Sequence, residues 1–377
     1  MPWECRTVEE VRKEFVQAAN SSRNFSAICR EFGITRRTGY KWLNRESMSN
    51  QSRRPHRSPH QTSSETERLI LEVRAENPGW GAKTIRQVLE NAGIPDLPCT
   101  KTVNNILHRN GCISPEESSK RKPFLRFEKE KCNDMWQTDF KGEFLLGDGT
   151  YCYPLNILDD HSRFSLCIEP RTTTKNVVIP VFSNVFREFG LPNSILSDNG
   201  PQFAGFRGGY TQFERWLMDL NILPVHGRIR HPQTQGKIER FHRTMNSELL
   251  KHHTFLNIQD AQAELSRWRE KYNNLRPHEA LGMRCPGDVY SPSSRSMPRK
   301  IPKFEYGGEY HVIKVNSWGY VRFDRWQVYL SETMIDQYIE FRPEADGNSF
   351  SACYRNFKIA SFDTHSGKLV HRRIARL

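Results

Sequence analysis

Ser197-Asp198-Asn199-Gly200-Pro201-Gln202-Phe203 follows the short apolar run Ile195-Leu196, and its Asn-Gly-Pro is a strong turn signal. Asp198 is therefore expected at the end of a strand, its carboxylate facing the rim of a sheet. Working outward, Trp136-Gln137-Thr138-Asp139-Phe140 lies in an apolar, β-prone run with Met135, Phe144 and Leu145, which predicts a strand carrying Asp139. On the other side, His231-Pro232-Gln233-Thr234-Gln235-Gly236-Lys237-Ile238-Glu239-Arg240-Phe241-His242-Arg243 leads into helical spacing. Ile238, Phe241 or His242, Met245 and Leu249 form the apolar stripe. Glu239 falls on a different face, shared by Gln235 and Arg243 four residues to either side.

Magnesium prefers carboxylate oxygen, water and substrate phosphate, so a phosphoryl-transfer site needs a few fixed Asp or Glu side chains and an open remainder. Two ions about 3.5–4 Å apart can stabilise the attacking and leaving oxygens of an in-line displacement. Asp139, Asp198 and Glu239 are candidates for that shell. Alone, each has a plainer reading: an Asp after a strand is usually a turn residue, and a Glu on a basic helix is usually a solvated ion-pair partner. The three segments together distinguish the two readings.

The segments 197–203 and 231–245, in this order after 136–140, resemble the catalytic core of bacterial insertion-sequence transposases and retroviral-type integrases, the DDE superfamily. The resemblance implies a ribonuclease H-like fold, a mixed five-stranded sheet whose first three strands are antiparallel, with helices on both faces. It implies Asp139, Asp198 and Glu239 as catalytic, metal-holding residues for two Mg2+ ions, with Mn2+ as a substitute. Gln235, Lys237, Arg240 and Arg243 would then position the DNA strand. The chain's own pattern agrees, with strands expected at 134–146, 151–159 and 163–170, a helix at 175–189, a strand at 194–198, a helix at 211–220 and a strand at 222–226. Forty residues separate Asp198 from Glu239, a few more than is usual in these enzymes. The extra length is assigned to a loop insertion at 206–210, which favours an insertion-sequence subgroup. Glu214, beside Trp216 and Leu217, is a rival third carboxylate that lacks the Gln235 and Lys237 context. Asp159-Asp160-His161 is read as a hairpin turn and left out of the site, because adjacent strand residues point to opposite faces.

The 377 residues carry 56 Lys plus Arg against 43 Asp plus Glu, a net charge of +13, which calls for an anionic partner such as nucleic acid. Two segments can read it. In the first, helices at 7–19 and 25–32 precede Gly33-Ile34 and a third helix capped by Thr35. Tyr40 and Leu43 are expected to pack inward, leaving Arg36, Arg37 and Lys41 for a major groove, a helix-turn-helix pattern. In the second, helices at 65–77, 82–91 and 100–109 share a core of Ile85, Val88, Leu89, Val103, Ile106 and Leu107. Lys83, Arg86, Lys101, Asn104, Asn105 and Arg109 are its candidate DNA contacts. Between the two, a stretch with Arg53 and Arg54 and no acidic residue reads as a flexible basic linker that can track a groove.

After the Glu239 helix, Ile258 to Leu275 reads as a long amphipathic helix through Ala261, Leu265, Trp268 and Tyr272, fit to close a sheet edge. Pro286, Pro292, Pro298 and Pro302 mark an extended linker. Runs at 311–315, 320–323, 327–330, 339–341 and 351–354 then alternate in the manner of a small β-barrel. The nine Cys residues contain no close Cys-x2-Cys pair, so reduced thiols are expected. No apolar run reaches the roughly eighteen residues of a membrane span. Four Glu residues among the first twenty argue against a secretory signal, and a bacterial cytoplasmic, nucleoid-associated protein is expected.

The expected organisation is multidomain α/β: a helix-turn-helix unit at 1–48, a basic linker at 49–63 and a second helix-turn-helix unit at 64–113. After a linker at 114–132 come a ribonuclease H-like core at 133–290, a Pro-rich linker at 291–303 and a C-terminal β-barrel at 304–377. The expected activity is that of a DNA transposase that binds the terminal inverted repeats of its element, cleaves there and joins the 3′-hydroxyl to target DNA. Synapsis of two ends would take a homodimer or larger assembly. The alternatives are a catalytically silent helix-turn-helix regulator and a ribonuclease H-like nuclease.

Overall fold

A computed structural model of the protein describes residues 7–50, 61–113, 128–205, 209–227, 236–345 and 347–377. It divides into two compact units, one up to Gln61 and one from Thr62 onward. The first holds α1 (Val8–Ser21), α2 (Phe25–Glu31) and α3 (Arg36–Leu43). Thr7 and Glu10 form a capping box, and Asn24 and Thr35 accept the N–H groups of Ala27 and Thr38, so each helix starts where its cap residue predicts. Tyr40 departs from its expected place: it is 47% exposed, its ring resting on Phe25 at 4.4 Å. Gly39 is buried instead. A Cβ there would stand 2.8 Å from both Cys29 Sγ and the Phe25 ring, too close for any side chain at this crossing.

The second unit opens with α4 (Ser64–Glu76), α5 (Ala82–Asn91) and α6 (Thr100–Arg109). Ile70, Trp80, Ile85, Leu89, Val103, Ile106 and Leu107 form their buried core, with Val88 partly buried beside it. These helices rest on later parts of the chain. Lys271 lies 5.6 Å from the Trp80 ring centre and donates to the Glu76 carbonyl, and Gly79 approaches Glu248 so closely that a Cβ would fall 2.5 Å from its Cγ.

Next come β1 (Trp136–Phe140), β2 (Phe144–Leu145), β3 (Tyr151–Cys152), β4 (Leu155–Asp159), β5 (Ser165–Glu169), α7 (Val178–Phe189), β6 (Ser194–Ser197), α8 (Gln212–Asp219), β7 (Leu223–His226), α9 (Gly236–Met245) and α10 (Ile258–Asn274). The five-stranded sheet runs β5-β4-β1-β6-β7, antiparallel from β5 to β1 and parallel from β1 to β7. Two expected strands are each split, and β2 and β3 pair apart from the main sheet. Pro154 accounts for the break: its carbonyl accepts from Lys141, but it has no N–H to return, so the ladder stops there. Trp136, Leu155 and Ile157 pack with Phe182, Phe186, Phe213 and Leu217 of α7 and α8 on one face. Leu158 and Ile168 pack with Phe241, Leu265, Trp268 and Tyr272 of α9 and α10 on the other. As expected, α10 closes the edge of β5. Asn273 accepts from the Ser165 N–H at 2.9 Å and donates to its carbonyl at 3.0 Å, while Arg269 donates to the Leu166 carbonyl.

The Pro-rich stretch, read as an extended linker, packs against the core. Arg295 donates to the carbonyls of Pro192, Leu220 and Asn221, and its own carbonyl accepts from Leu191. Gly190, with φ at +79°, turns off α7 so tightly that a Cβ would meet the Ser293 carbonyl at 2.7 Å. Beyond it lie β8 (His311–Lys314), β9 (Tyr320–Phe323), β10 (Trp326–Tyr329), β11 (Tyr338–Pro343), β12 (Ser349–Tyr354), β13 (Phe357–Asp363) and β14 (Leu369–Arg376). The expected barrel is not closed among the described residues. The order β14-β13-β12-β11-β8 makes one antiparallel sheet, and β9–β10 is a separate hairpin whose Phe323 stacks on Phe341 at 4.5 Å across a shared apolar core.

Candidate active site

The sheet brings two of the three carboxylates level. β1 and β6 are parallel, with Trp136 opposite Ile195 and Gln137 opposite Leu196. Two residues further in that register stand Asp139 and Asp198, the latter just past the end of β6. Strand alternation puts Trp136 into the α7 and α8 face and both Gln137 and Asp139 towards α9. The α9 helix lies over them, with its Ile238 N–H on Gln137 Oε1 at 3.2 Å and His242 Nδ1 3.9 Å from Asp139 Oδ2. Glu239 sits between those two contacts along the helix. The electrostatics agree with this grouping: burial pushes the Asp139 carboxyl up to about 7, and the charges of Asp198 and Glu239 push in the same direction.

The turn after β6 is built around Asp198. Its Oδ1 accepts the Gly200 N–H at 2.9 Å, and a Cβ on Gly200 would lie 2.9 Å from that same oxygen. Asn199 ties the turn to the end of β7 by donating to the Gly227 carbonyl, and Phe203 is fully buried against Phe140 and Phe213. The Asn-Gly-Pro-Gln-Phe signature is thus a turn with an apolar anchor that holds one carboxylate at the sheet rim.

The arrangement is open. Among the described residues, the one group of three ligand atoms all within 4.8 Å of one another is His253, Asp260 and Glu264, not the three predicted carboxylates. That other group is already engaged, with Asp260 accepting the Leu256 N–H and Glu264 paired with Arg267. Around Asp139, Asp198 and Glu239 no Lys or Arg among the described residues forms an ion pair. Grouped carboxylates without a Lys or Arg ion-pair partner among the described residues are the oxygen ligands that a divalent metal takes.

Two residues beside Asp139 escaped the sequence reading. His242 was placed on the apolar stripe, where it indeed turns inward. Its Nε2 meets Asn156 Nδ2 at 3.0 Å, and because that amide also donates to the Pro154 carbonyl, Nε2 is the acceptor and Nδ1 carries the proton towards Asp139. Burial holds this imidazole down at about 4, so it is neutral. A His three residues after the helical Glu, on the inward side, was the available signal.

The Asp159–His161 turn is present, but both carboxylates are fully buried. Asp159 accepts from Asn133 and Ser162. Asp160 binds Gln137, the Lys129 N–H and the Lys237 ammonium. Lys237, expected to face a DNA strand, is therefore directed inward and is only 13% exposed. Glu214 is likewise structural, closing the capping box of α8 with Thr211 and pairing with His226 at 2.8 Å.

Arg36, Arg37 and Lys41 are exposed on α3, Lys101, Asn104 and Asn105 on α6, and Arg240 and Arg243 on α9 beside Glu239. Lys83 pairs with Glu279, Arg86 with Glu90 and Arg109 with Glu67. Such surface pairs contribute at most about 1 kcal/mol, so phosphate can displace them. Arg53, Arg54 and Gln235 lie outside the described residues.

Residues 129–232 and 220–286 each match an integrase core domain, and residues 11–56 match a helix-turn-helix domain. The chain is 26% identical over 186 residues to an insertion element IS476 protein of Xanthomonas euvesicatoria, covering 49% of this chain and 47% of that one. It is 25% identical over 253 residues to the transposase for insertion sequence element IS904 of Lactococcus lactis, covering 62% of this chain and 97% of that one. It spans about half the length of the curated relatives it matches first. Among solved structures, the HTLV-2 integrase catalytic core domain in complex with magnesium aligns over 42% of this chain and 97% of its own, at 17% identity and a TM-score of 0.33. The chain therefore carries a region that matches a helix-turn-helix domain ahead of one that matches an integrase core domain, and over part of its length it is similar to proteins of bacterial insertion elements, a transposase among them.

Proposed function

We propose that this chain is a DNA transposase, a polynucleotidyl transferase that cuts at the terminal repeats of its element and joins the 3′-hydroxyl to target DNA. The observation that carries the reading is the grouping of Asp139, Asp198 and Glu239 from β1, the turn after β6 and α9, close enough for the other two charges to raise Asp139. Bound there, divalent metal would activate water or a hydroxyl and stabilise the leaving oxygen. The chain's own part is geometric. Asp139 and Asp198 hold their oxygens from a rigid sheet, Glu239 supplies a third from the helix, and Arg240 and Arg243 offer charge for the strand beside it. The exposed faces of α3 and α6 are the proposed readers of the repeats, and a dimer or larger assembly would hold two ends together.

The test is magnesium-dependent cleavage and joining of labelled DNA from the flanks of this protein's own gene. Wild type should yield joined products, and Asp139→Asn and Glu239→Gln should lose them while still binding the flanks. Flank binding without cleavage by any of the three, in magnesium or manganese, would leave a DNA-binding regulator. Full activity of Asp139→Asn would refute the site.

A further inference from the structure

Asp160 and Lys237 form a buried ion pair that the chemistry proposed above does not use. Asp160 is 0% exposed, and its carboxylate takes three donors: Gln137 Nε2 at 2.8 Å on Oδ1, and the Lys129 N–H at 2.8 Å and Lys237 Nζ at 2.5 Å on Oδ2. Lys237 Nζ also donates to the Asp160 carbonyl at 3.0 Å. Taking such a pair out of water costs about as much as its attraction returns, so stability alone is a poor account of its presence. Gln137 closes the circuit. Its amide donates to Asp160, and its Oε1 accepts the Ile238 N–H at the start of α9.

The two residues before Glu239 are thus both tied down, Lys237 by its side chain and Ile238 by its backbone. Their anchors are the β4–β5 turn and β1, and the β1 anchor lies two residues before Asp139 on the same face of the strand. From this geometry we infer that Asp160, Lys237 and Gln137 are positioning residues that fix the first turn of α9, and with it the distance of Glu239 from Asp139 and Asp198. The inference rests on the phosphoryl-transfer reading of those carboxylates. Their open spacing makes the seat of Glu239 matter, since small displacements of a ligand-bearing element weaken metal binding and chemistry together.

The test uses the full chain and three variants: Lys237→Met, Lys237→Arg and Gln137→Leu, the last of which keeps the ion pair. Amide exchange is followed in the metal-free protein, Mn2+ affinity by calorimetry, and flank cleavage and flank binding on DNA. Lys237→Met and Gln137→Leu should speed exchange across 236–245 by about tenfold or more with α7 unchanged, weaken Mn2+ binding by about 10–100-fold and reduce cleavage, while flank binding persists. Lys237→Arg should recover most of the protection. Wild-type exchange in α9 and wild-type Mn2+ affinity in both disruptive variants would overturn the inference, as would faster exchange spread evenly over all helices, the mark of a pair that only stabilises the fold. If wild type neither cuts nor joins, the transposase reading falls, and the exchange and Mn2+ measurements still decide this one.

Discussion

At the scale of single residues, Asp139 is the most informative side chain, because its environment opposes the charge that the proposed chemistry needs. Its carboxyl is raised from 3.8 to about 7 by burial and by Asp198 and Glu239. In the folded, metal-free protein it therefore keeps its proton where the unfolded chain has lost it, so its contribution to stability is complete below about pH 4 and is lost as pH rises to about 7. The gap corresponds to at most ~4 kcal/mol. With metal chelated, Asp139→Asn should be more stable than wild type at pH 8, by up to that amount, and equal to it at pH 4. Denaturant unfolding across this range checks the sign, and parallel curves for the two proteins would show that the fold does not raise the Asp139 carboxyl. Sequence made these residues legible because each sits in a local pattern: an apolar strand, a turn signal, a helical stripe. It misdirected Lys237, whose partner Asp160 lies 77 positions away, and it missed His242, whose neighbour Asn156 belongs to a strand the helix meets only on folding.

At the scale of elements, the layers of the core were legible from the alternation of apolar runs, whereas breaks and edges were set by single hydrogen bonds. Pro154 splits a run that reads as one strand, and Gly39 takes the inward place that spacing gave to Tyr40. The edge of β5 shows how much one such contact carries. Asn273 pairs with both the N–H and the carbonyl of Ser165 as a further strand would, and all these groups are buried. Asn273→Leu leaves a buried donor and acceptor unsatisfied and should destabilise the protein by about 2–6 kcal/mol, at about 1–3 kcal/mol for each group. Asn273→Asp keeps an acceptor for the Ser165 N–H but sets a carboxylate against its carbonyl, so it should recover little. Denaturant midpoints of the two variants measure this, and a loss below about 0.5 kcal/mol for Asn273→Leu would mean that water already serves the edge.

At the scale of the whole second unit, the C-terminal strands extend the core rather than hang from it. Tyr210, in the stretch that reads as a tolerated loop insertion, is buried among the C-terminal strands, where its hydroxyl donates to the Ile359 carbonyl at 2.7 Å and its N–H to Ser331 at 2.9 Å. Met218 of α8 is buried in the same cluster. Asp219, at the end of α8, accepts Tyr354 Oη at 2.6 Å and pairs with Arg355 at 3.0 Å, with both charged side chains largely covered. No local pattern could announce this, because the partners lie more than a hundred residues apart and meet only through the fold. Removing one partner of a covered ion pair leaves the other without compensation, a loss of about 3–5 kcal/mol. Asp219→Ala should therefore lower the unfolding midpoint of the C-terminal sheet and the integrase core together, because they share one apolar cluster. Ending the chain at residue 303 would uncover Tyr210, Met218 and Leu223 and should leave a core that aggregates or melts early. Unfolding followed separately by exchange in β12 and in β4 distinguishes the cases: coincident transitions in Asp219→Ala are expected, and a stable, monomeric core in the shortened chain would show that the two parts fold independently.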